Sequence, residues 1–448
     1  GGYFSSTDEY LKLVSPRSNE REIIYIDASA PPGSPAFDAV VAHELQHLIH
    51  WHADDSEESW VNEGLSQVAF EMLTGDAGSV FPFLNNPDTQ LNYWVTLDAD
   101  PSVHYAASQL FFRYLLDNYG GREQAKRLLA QPEDGIAGID RYLAPFNTDF
   151  RVVFSDWLAA NYLDLPSGPY SHAGGDLRVS RPATISRLAG SEDRVSQFGA
   201  DYLEIKPESG GVFTFEGSPT VPAVAAEPRS GRSFWWSNRS DNVDTRLTRE
   251  IDLRGVARAT LNFWAWYDIE ESWDFAYVAV STDNGRTWKA LPASTTTDHD
   301  PLSVAYGPGF TGRSGGPEGP RWLEQTVDLT PFAGQKALLR FEYVTDDSTN
   351  LSGLAVDDIS IPEIGLFDGA ESDGPWQREG FLRITGPLPQ QFIVLLIDRD
   401  DSQPVKRLDL DPQNRARLEV SRPVTIVIAG ATEVTREKAL YRWSFLPS

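Results

Sequence analysis

The chain has 448 residues and a formal net charge of −27 at pH 7, with 41% hydrophobic residues, no cysteine and one methionine. This length predicts two or three domains, and the hydrophobic content excludes a wholly disordered chain. The negative charge argues against nucleic acid and anionic membrane surfaces as partners, because they would repel the chain.

The first part of the chain predicts helices after one early strand. Residues 22–27 are a short run of β-favouring side chains that ends before Pro31. Asp55 and Glu58 lie three residues apart, which is typical of a capping box at the start of a helix. Four helices are predicted, over residues 38–52, 56–74, 105–119 and 149–163.

After Pro166 the pattern changes to short strands separated by turn residues. Apolar positions alternate over Leu261–Tyr267, and Phe275–Ser281 runs into Asp283-Asn284-Gly285, a strong hairpin signal. The apolar run Phe392–Ile397 has only the length of a strand, so no membrane span is predicted. This half therefore predicts β-sandwiches.

An H-E-x-x-H motif lies on the first predicted helix, from His43 to His47. Residues four apart share one helix face, so both imidazoles can reach a single zinc ion. Glu44 then lies beside the metal, where it can take a proton from metal-activated water. The competing interpretation is an amphipathic helix that carries histidines by chance.

A catalytic zinc site takes three protein ligands and leaves one position open. The candidates for the third ligand are His50, Asp54, Glu57, Glu58 and Glu63. His50 and Asp54 share the helix face of the two histidines, and one straight helix cannot bend around a tetrahedral ion. Glu57 and Glu58 fall in a first helical turn, where acidic residues are common for the helix dipole alone. Glu63 lies on the next helix, which can present it from another side, and it is the predicted ligand.

The segments His43–His47 and Trp60–Ser66 together resemble the gluzincin clan of zinc metallopeptidases. This clan includes thermolysin, aminopeptidases with a W-x-N-E-G-x-A segment, and the hyicolysin-like bacterial peptidases. The resemblance implies a mainly helical α+β zincin fold, with Glu44 as general base. It also implies that the two histidines and Glu63 bind zinc, although the 15 residues between His47 and Glu63 are fewer than in thermolysin.

A peptidase also needs a hydrogen-bond donor for the developing oxyanion. Members of the clan use a tyrosine or histidine from a later helix, which makes Tyr105 the first candidate here and His104 the second. The alternative is that the Tyr105 ring packs in the core. Gln67, one turn after Glu63, is a candidate to orient a ligand, or it faces solvent.

Several segments of the second half resemble the jelly-roll module of immune inhibitor A-type secreted peptidases, over about residues 225–362. They are Trp235–Asn238, Asp241–Asp244, Leu247–Leu253, Trp264–Glu271 and Val344–Asp358. The resemblance implies a structural calcium ion where the first and last strands meet. Its candidate ligands are Asp241, Asp244, Asp357 and Asp358, and the alternative is that these aspartates are solvated turn residues.

These features predict a multidomain chain, with a mainly helical α+β zincin-type peptidase domain followed by all-β jelly-roll and sandwich domains. The chain begins Gly1-Gly2-Tyr3 without methionine or a signal peptide, so we expect part of the first domain to lie upstream. The predicted domains are a zinc metallopeptidase domain at 1–190, strands of a small β-sandwich at 191–224, a MAM-like jelly roll at 225–362, and a C-terminal sandwich at 363–448 that 191–224 completes.

The leading hypothesis is a secreted zinc endopeptidase that acts on protein or peptide substrates, with β-modules that attach it to a surface or glycan. The scarcity of cysteine and methionine, the most oxidisable residues, fits an extracellular location. One alternative is an aminopeptidase, although no G-x-M-E-N-like anchor for a free amine precedes His43. The other is an adhesin-like binding protein with a vestigial zinc domain, against which the complete set of zinc-site residues argues.

Overall fold

A computed structural model describes residues 1–447 except 14, 16, 30, 77, 96–99, 173–175, 181, 186–188 and 209. The chain divides into two compact units. The first comprises Gly1–Tyr10, Ser18–Ala223 and Leu388–Ser448. The second comprises Leu11–Arg17 and Val224–Pro387.

The first unit opens with two antiparallel strands, β1 (Gly2–Phe4) and β2 (Ile24–Ile26), followed by helices. The α-helices of the described residues are α1 (Pro35–Ala53), α2 (Ser59–Thr74), α3 (Phe81–Asn85), α4 (Ser102–Asn118), α5 (Ala125–Leu129), α6 (Gly135–Leu143) and α7 (Phe150–Leu163). The four predicted helices are confirmed as α1, α2, α4 and α7. None of the helices in the described residues has the length and apolar character that crossing a membrane requires.

The ends of α1 and α2 follow from local chemistry. α1 begins where the Ser34 side chain accepts a hydrogen bond from the Phe37 N–H, with Pro35 in the first turn. α2 ends at Gly75, which adopts the left-handed conformation with φ 72°. The predicted capping box is wrong, because α2 begins only at Ser59, and the Glu58 carboxylate accepts a hydrogen bond from the Trp60 indole instead.

Aromatic rings join α2, α4 and α7 into one core. The Trp60 ring of α2 lies 5.4 Å from the Phe112 ring of α4, measured between centroids. On the other side, Phe111 of α4 meets Phe150 and Trp157 of α7, each with a centroid distance of 5.5 Å. All five side chains are buried, so the packing fixes α2, which carries Glu63, against α4.

The remaining elements are mostly strands. In chain order these are β3 (Ala183–Ile185), β4 (Ala189–Val195), β5 (Ala200–Ile205), β6 (Gly211–Gly217), β7 (Thr220–Val221), β8 (Ser233–Trp236), β9 (Asp244–Asp252), β10 (Thr260–Ile269), β11 (Phe275–Ser281), β12 (Lys289–Leu291), β13 (Gly312–Arg313), β14 (Leu323–Asp328), β15 (Lys336–Val344), β16 (Gly353–Ile361), β17 (Leu366–Asp368), β18 (Gln377–Glu379), β19 (Leu382–Thr385), β20 (Leu388–Pro389), β21 (Phe392–Ile397), β22 (Val405–Arg407), β23 (Arg415–Val420), β24 (Val424–Gly430) and β25 (Ala439–Pro447). Short 3-10 helices lie at Ser6–Glu9, Arg122–Gln124, Ala144–Phe146, Gly316–Glu318, Thr330–Phe332 and Pro362–Ile364.

The first unit contains a five-stranded sheet in the order β22-β21-β24-β5-β3 and a four-stranded sheet in the order β23-β6-β25-β4. The position of β21 between two cores explains why its sequence is apolar at every position. Phe392 and Val394 lie in the core between the two sheets, whereas Ile393, Leu395 and Ile397 lie in the core that the sheet shares with the helices. A strand covered on both faces needs apolar side chains on both.

The second unit is a sandwich of two antiparallel sheets around one core. One sheet has the order β13-β10-β16-β8-β19, with β14 also paired to β10 and β17 to β16, and the other has the order β12-β11-β15-β9-β18. The predicted hairpin is confirmed, since β11 and β12 pair across a turn in which Gly285 has φ 85°. β18 pairs with β9 and β19 with β8, so residues 363–387 lie in this sandwich rather than in the sheets that follow.

Candidate metal centre

α1 and α2 bring the three predicted zinc ligands together. The Nε2 atoms of His43 and His47 lie 3.0 Å apart, one helical turn from each other on α1. Oε2 of Glu63, on α2, lies 3.3 Å from Nε2 of His43 and 3.4 Å from Nε2 of His47. The two helices therefore bring two imidazole nitrogens and one carboxylate oxygen to a single point.

This arrangement fits a cation. The candidate ligand atoms of the three residues all lie within 4.8 Å of one another, and the buried Oε2 of Glu63 has no hydrogen-bond partner among the described residues. Burial opposes the charge of Glu63, but the positive charges of the nearby His47 and His43 side chains lower its pKa to about 2. Burial likewise opposes the charge of His47, but Glu63 raises the pKa of His47 to about 9. The site thus favours positive charge, and its donor set is one that zinc accepts.

His47 is oriented by two residues of α2 that were not predicted from the sequence as part of the site. Oδ1 of Asn62 lies 3.0 Å from Nδ1 of His47, and Oγ of Ser66 lies 3.2 Å from the same nitrogen. An amide oxygen only accepts hydrogen bonds, so Nδ1 of His47 donates to Asn62 and Nε2 is the nitrogen available to a metal. Asn62 and Ser66 are four residues apart on α2, and this spacing puts Ser66, rather than Gln67, against His47.

The other candidates for the third ligand lie elsewhere. His50 is 1% exposed, and its Nδ1 lies 3.1 Å from Oδ1 of Asn62. Burial lowers the pKa of His50 to about 4, so its ring is neutral at physiological pH. Asp54 accepts a hydrogen bond from the Ser56 N–H, and Glu57 accepts one from the Gly135 N–H. These contacts, with that of Glu58 to the Trp60 indole, direct the side chains away from His43 and His47.

Glu44 lies on α1 directly after His43 and is 5% exposed. Its pKa is raised because burial disfavours the charged form, against the opposing charges of the histidines. Its carboxylate accepts a hydrogen bond from the Phe4 N–H of β1. The same strand runs close to α1, because a Cβ at Gly2 would lie 2.6 Å from Cγ1 of Val40. β1 therefore holds Glu44 beside the proposed ligands.

Tyr105 and His104 are the two candidates to donate a hydrogen bond to the oxyanion, and of these Tyr105 lies near the proposed metal ligands. Its ring lies 6.2 Å from the His43 ring, measured between centroids. Burial, the charges of Glu63 and Glu44, and a hydrogen bond to Glu63 raise the pKa of Tyr105 well above its ordinary value. His104 instead packs against Tyr93, with a centroid distance of 5.4 Å, and burial lowers the pKa of His104 to about 4.

The four aspartates predicted to bind calcium do not form one group of ligands among the described residues. Asp244 is exposed and bonds to Arg246, whereas buried Asp357 accepts hydrogen bonds from the N–H groups of Arg229 and Ser230. Asp357 and Asp358 lie on β16 and Asp244 on β9, and these strands belong to different sheets. Asp241 is buried and accepts hydrogen bonds from the backbone and side chain of Asn350.

Comparison with known proteins shows what the second half of the chain is similar to. Residues 216–386 match the family model described as immune inhibitor A-like, MAM domain. The chain is 32% identical over 203 residues to the pre-pro-metalloprotease PrtV of Vibrio cholerae, in two strains, which covers 42% of this chain and 21% of PrtV. It is 28% identical over 172 residues to immune inhibitor A of Bacillus thuringiensis subsp. alesti, which covers 38% of this chain and 23% of that protein.

This chain thus spans about a fifth of the length of these relatives. The matches cover its C-terminal part, outside the helices that carry the histidines. The expected resemblance to immune inhibitor A is confirmed there, over a longer range than 225–362. In its C-terminal part the chain therefore contains a region that matches an immune inhibitor A-like MAM domain, and it is similar there to the metalloprotease PrtV and to immune inhibitor A.

Proposed function

We propose that this chain is a zinc-dependent peptidase whose active site lies between α1 and α2. The observation that carries the proposal is the convergence of His43, His47 and Glu63 around one point, with a buried carboxylate oxygen that has no hydrogen-bond partner among the described residues. Zinc would be held by Nε2 of each histidine and by Glu63. The relation of the C-terminal part to metalloproteases supports this class of enzyme.

Glu44 would act together with the zinc ion in peptide hydrolysis. A zinc ion at this point would supply a Lewis acid that activates water and polarises the scissile carbonyl. Glu44 accepts the proton of the attacking water and passes it to the leaving amine. A raised carboxyl pKa suits that exchange, because a general base works best with a pKa near the working pH.

Tyr105 supports the same reaction from α4. Its raised pKa keeps the hydroxyl protonated at neutral pH, so it can donate a hydrogen bond to the oxyanion that forms on the substrate. The Glu63 carboxylate lies near that hydroxyl, since its charge contributes to the raised pKa. Asn62 positions His47, since their hydrogen bond fixes the ring orientation.

The finer proposal is an endopeptidase that acts outside the cell on proteins or peptides, with the β-rich part serving attachment to a surface or glycan. An aminopeptidase needs a carboxylate to hold the free amine of its substrate. The carboxylates that act most strongly on His47 are Glu63 and Glu44, and the proposal already uses both. An amine anchor would have to come from another part of the site.

A digest of peptides with free and acetylated N-termini, read by mass spectrometry, tests the proposal. We expect cleavage at internal bonds of both kinds of peptide, loss of cleavage with a chelator and recovery with zinc. Stepwise trimming of only the free peptides would assign an aminopeptidase. A zinc-loaded, folded protein that cleaves neither kind would leave the binding-protein hypothesis in its place.

A further inference from the structure

The helix that carries the two candidate zinc-binding histidines also holds a buried histidine that the proposed reaction does not use. His50 follows His47 by three residues on α1, so it lies on the same side of the helix, and it is 1% exposed. Its Nδ1 atom lies 3.1 Å from Oδ1 of Asn62, on α2. The same oxygen lies 3.0 Å from Nδ1 of His47. One amide oxygen is therefore shared by two imidazole rings.

The other ring nitrogen of His50 indicates where this ring holds its proton. A neutral imidazole has one N–H group and one nitrogen without a proton. Nε2 of His50 is buried and has no hydrogen-bond partner among the described residues. A proton on Nε2 would leave a buried donor unpaired and would set a bare Nδ1 against the Asn62 oxygen, whereas a proton on Nδ1 is donated to that oxygen. The contact with Asn62 therefore favours the Nδ1–H form of His50.

Gln46 is the competing partner of the same nitrogen. Its amide nitrogen lies 3.3 Å from Nδ1 of His50, and a hydrogen bond donated there would require the ring proton to be on Nε2. The contact with Asn62 is shorter, and it gives the ring proton an acceptor, which the contact with Gln46 does not. The two partners predict opposite tautomers of His50, so an experiment can distinguish them.

The tautomer of His50 bears on how the Asn62 amide is oriented. Turning this amide over would exchange its oxygen for its NH2 group. Against His47 alone the turned amide would be acceptable, because that ring can move its proton to Nε2 and accept a hydrogen bond at Nδ1. Nε2 of His47 would then carry a proton and could not bind a metal. With the proton of His50 on Nδ1, the turned amide would meet a second N–H donor, so His50 disfavours that orientation.

We propose that His50 is a positioning residue of the metal centre. Its Nδ1–H selects the orientation of the Asn62 amide, and the amide oxygen in turn holds His47 in the tautomer that can bind a metal. The inference rests on the proposed zinc site and gives His50 no contact with the substrate. Removal of His50 should therefore lower the affinity for zinc, whereas kcat of the zinc-loaded enzyme should change little.

Nitrogen NMR of the metal-free chain, labelled at its histidine nitrogens and held at neutral pH, tests the tautomer directly. The resonances of His50 are assigned by their loss in His50→Gln, and we expect them to show the proton on Nδ1. A proton on Nε2 would overturn the proposal, because Gln46 would then be the partner of Nδ1. This measurement needs neither zinc nor peptide cleavage, so its result is independent of the proposed function.

Zinc affinity, measured by competition with a chelator, gives the second readout. His50→Leu and His50→Gln place no donor at the position of Nδ1 and should bind zinc about 10-fold more weakly, as expected when an outer partner of a metal ligand is lost. His50→Asn should bind zinc as the wild type does, because its side-chain nitrogen can take the place of Nδ1. His52→Leu, which removes an exposed histidine of the same helix, is the matched control and should leave the affinity unchanged.

A double substitution separates positioning from packing. In the Asn62→Leu background, His50→Leu should weaken zinc binding no further, because its effect passes through Asn62. Additive losses, together with an equal loss in His50→Asn, would show that His50 serves only the packing of the helices and would overturn the proposal. So would an unchanged zinc affinity in folded His50→Leu. A wild type that binds no zinc would refute the metal centre itself, and the tautomer measurement would still show whether His50 donates to Asn62.

Discussion

Gly64 of α2 packs so closely against Phe112 of α4 that a Cβ atom at Gly64 would lie 2.4 Å from Cδ2 of the ring. Glu63 precedes this contact, so the distance between the two helices sets where the proposed third ligand lies. We expect Gly64→Ala to destabilise the protein by about 1–3 kcal/mol, as overpacking a core does. It should also weaken zinc binding, because α2 must shift.

Thermal unfolding and zinc titration would measure both effects. A second substitution, Phe112→Leu, makes room for the new methyl group and should restore part of the stability. Gly255→Ala is the matched control, because a Cβ at Gly255 meets no atom within 4 Å. Equal melting of Gly64→Ala and Gly255→Ala would contradict the proposed role of this contact.

Glu44→Gln separates metal binding from catalysis. The amide cannot accept the proton of the attacking water, whereas both histidines and Glu63 are unchanged. We expect one bound zinc per chain and a kcat lower by about two to four orders of magnitude. Metal analysis and peptide hydrolysis on the same sample measure the two properties. The proposed role of Glu44 would be excluded if the variant, loaded with zinc, cleaved peptides at the wild-type rate.

Tyr105→Phe tests the oxyanion donor. Loss of the hydroxyl should lower kcat by about two to three orders of magnitude, with a smaller effect on KM, because the bond forms mainly in the transition state. His104→Gln is the comparison, since His104 packs against Tyr93 rather than towards the two histidines. A large loss of kcat in His104→Gln and none in Tyr105→Phe would reverse the two assignments.

Asn62→Leu tests the hydrogen bond that orients His47. Leucine has the same number and branching of side-chain heavy atoms and cannot accept the Nδ1–H, so we expect zinc affinity to fall by about 10- to 100-fold. Gln67→Leu, on the same helix, is the control, because among the described residues it is Asn62 and Ser66 of α2, and not Gln67, that lie against Nδ1 of His47. Competition with a fluorescent chelator gives both affinities, and equal values would show that Asn62 serves only the packing of α2.

The sequence was sufficient to predict that His43 and His47 lie together, because residues four apart on a helix share one face whatever surrounds them, and that Glu63 reaches them from the next helix. It was not sufficient for Ser66 and Asn62, since the face of α2 that meets α1 depends on how the two helices pack. The four aspartates predicted to bind calcium do not form one group, for a similar reason. Asp244 and Asp357 lie near the first and last strands of the module, but these strands belong to different sheets.

The carboxyl group of Asp201, on β5, leads to a prediction about how the stability of the protein depends on pH. Burial raises the pKa of Asp201 to about 6, although its carboxylate accepts a hydrogen bond of 2.7 Å from the Tyr441 hydroxyl. An unfolded aspartate has a pKa near 4. Between about pH 4 and pH 6 the folded state therefore keeps a proton that the unfolded state has lost, and the free energy of unfolding should fall as pH rises through this range.

Asp201→Asn removes this penalty, because asparagine does not ionise and its amide oxygen can still accept the hydrogen bond from Tyr441. Above pH 6 we expect the variant to be more stable than the wild type by on the order of 2 kcal/mol, whereas at pH 4 the two should be nearly equal. Thermal unfolding at both pH values measures the difference. Asp409→Asn is the matched control: it removes one negative charge at an exposed position between β22 and β23, so an equal gain there would assign the effect to net charge. A wild type whose stability does not fall between pH 4 and pH 6 relative to Asp201→Asn would show that the Asp201 carboxyl is not held protonated in the fold.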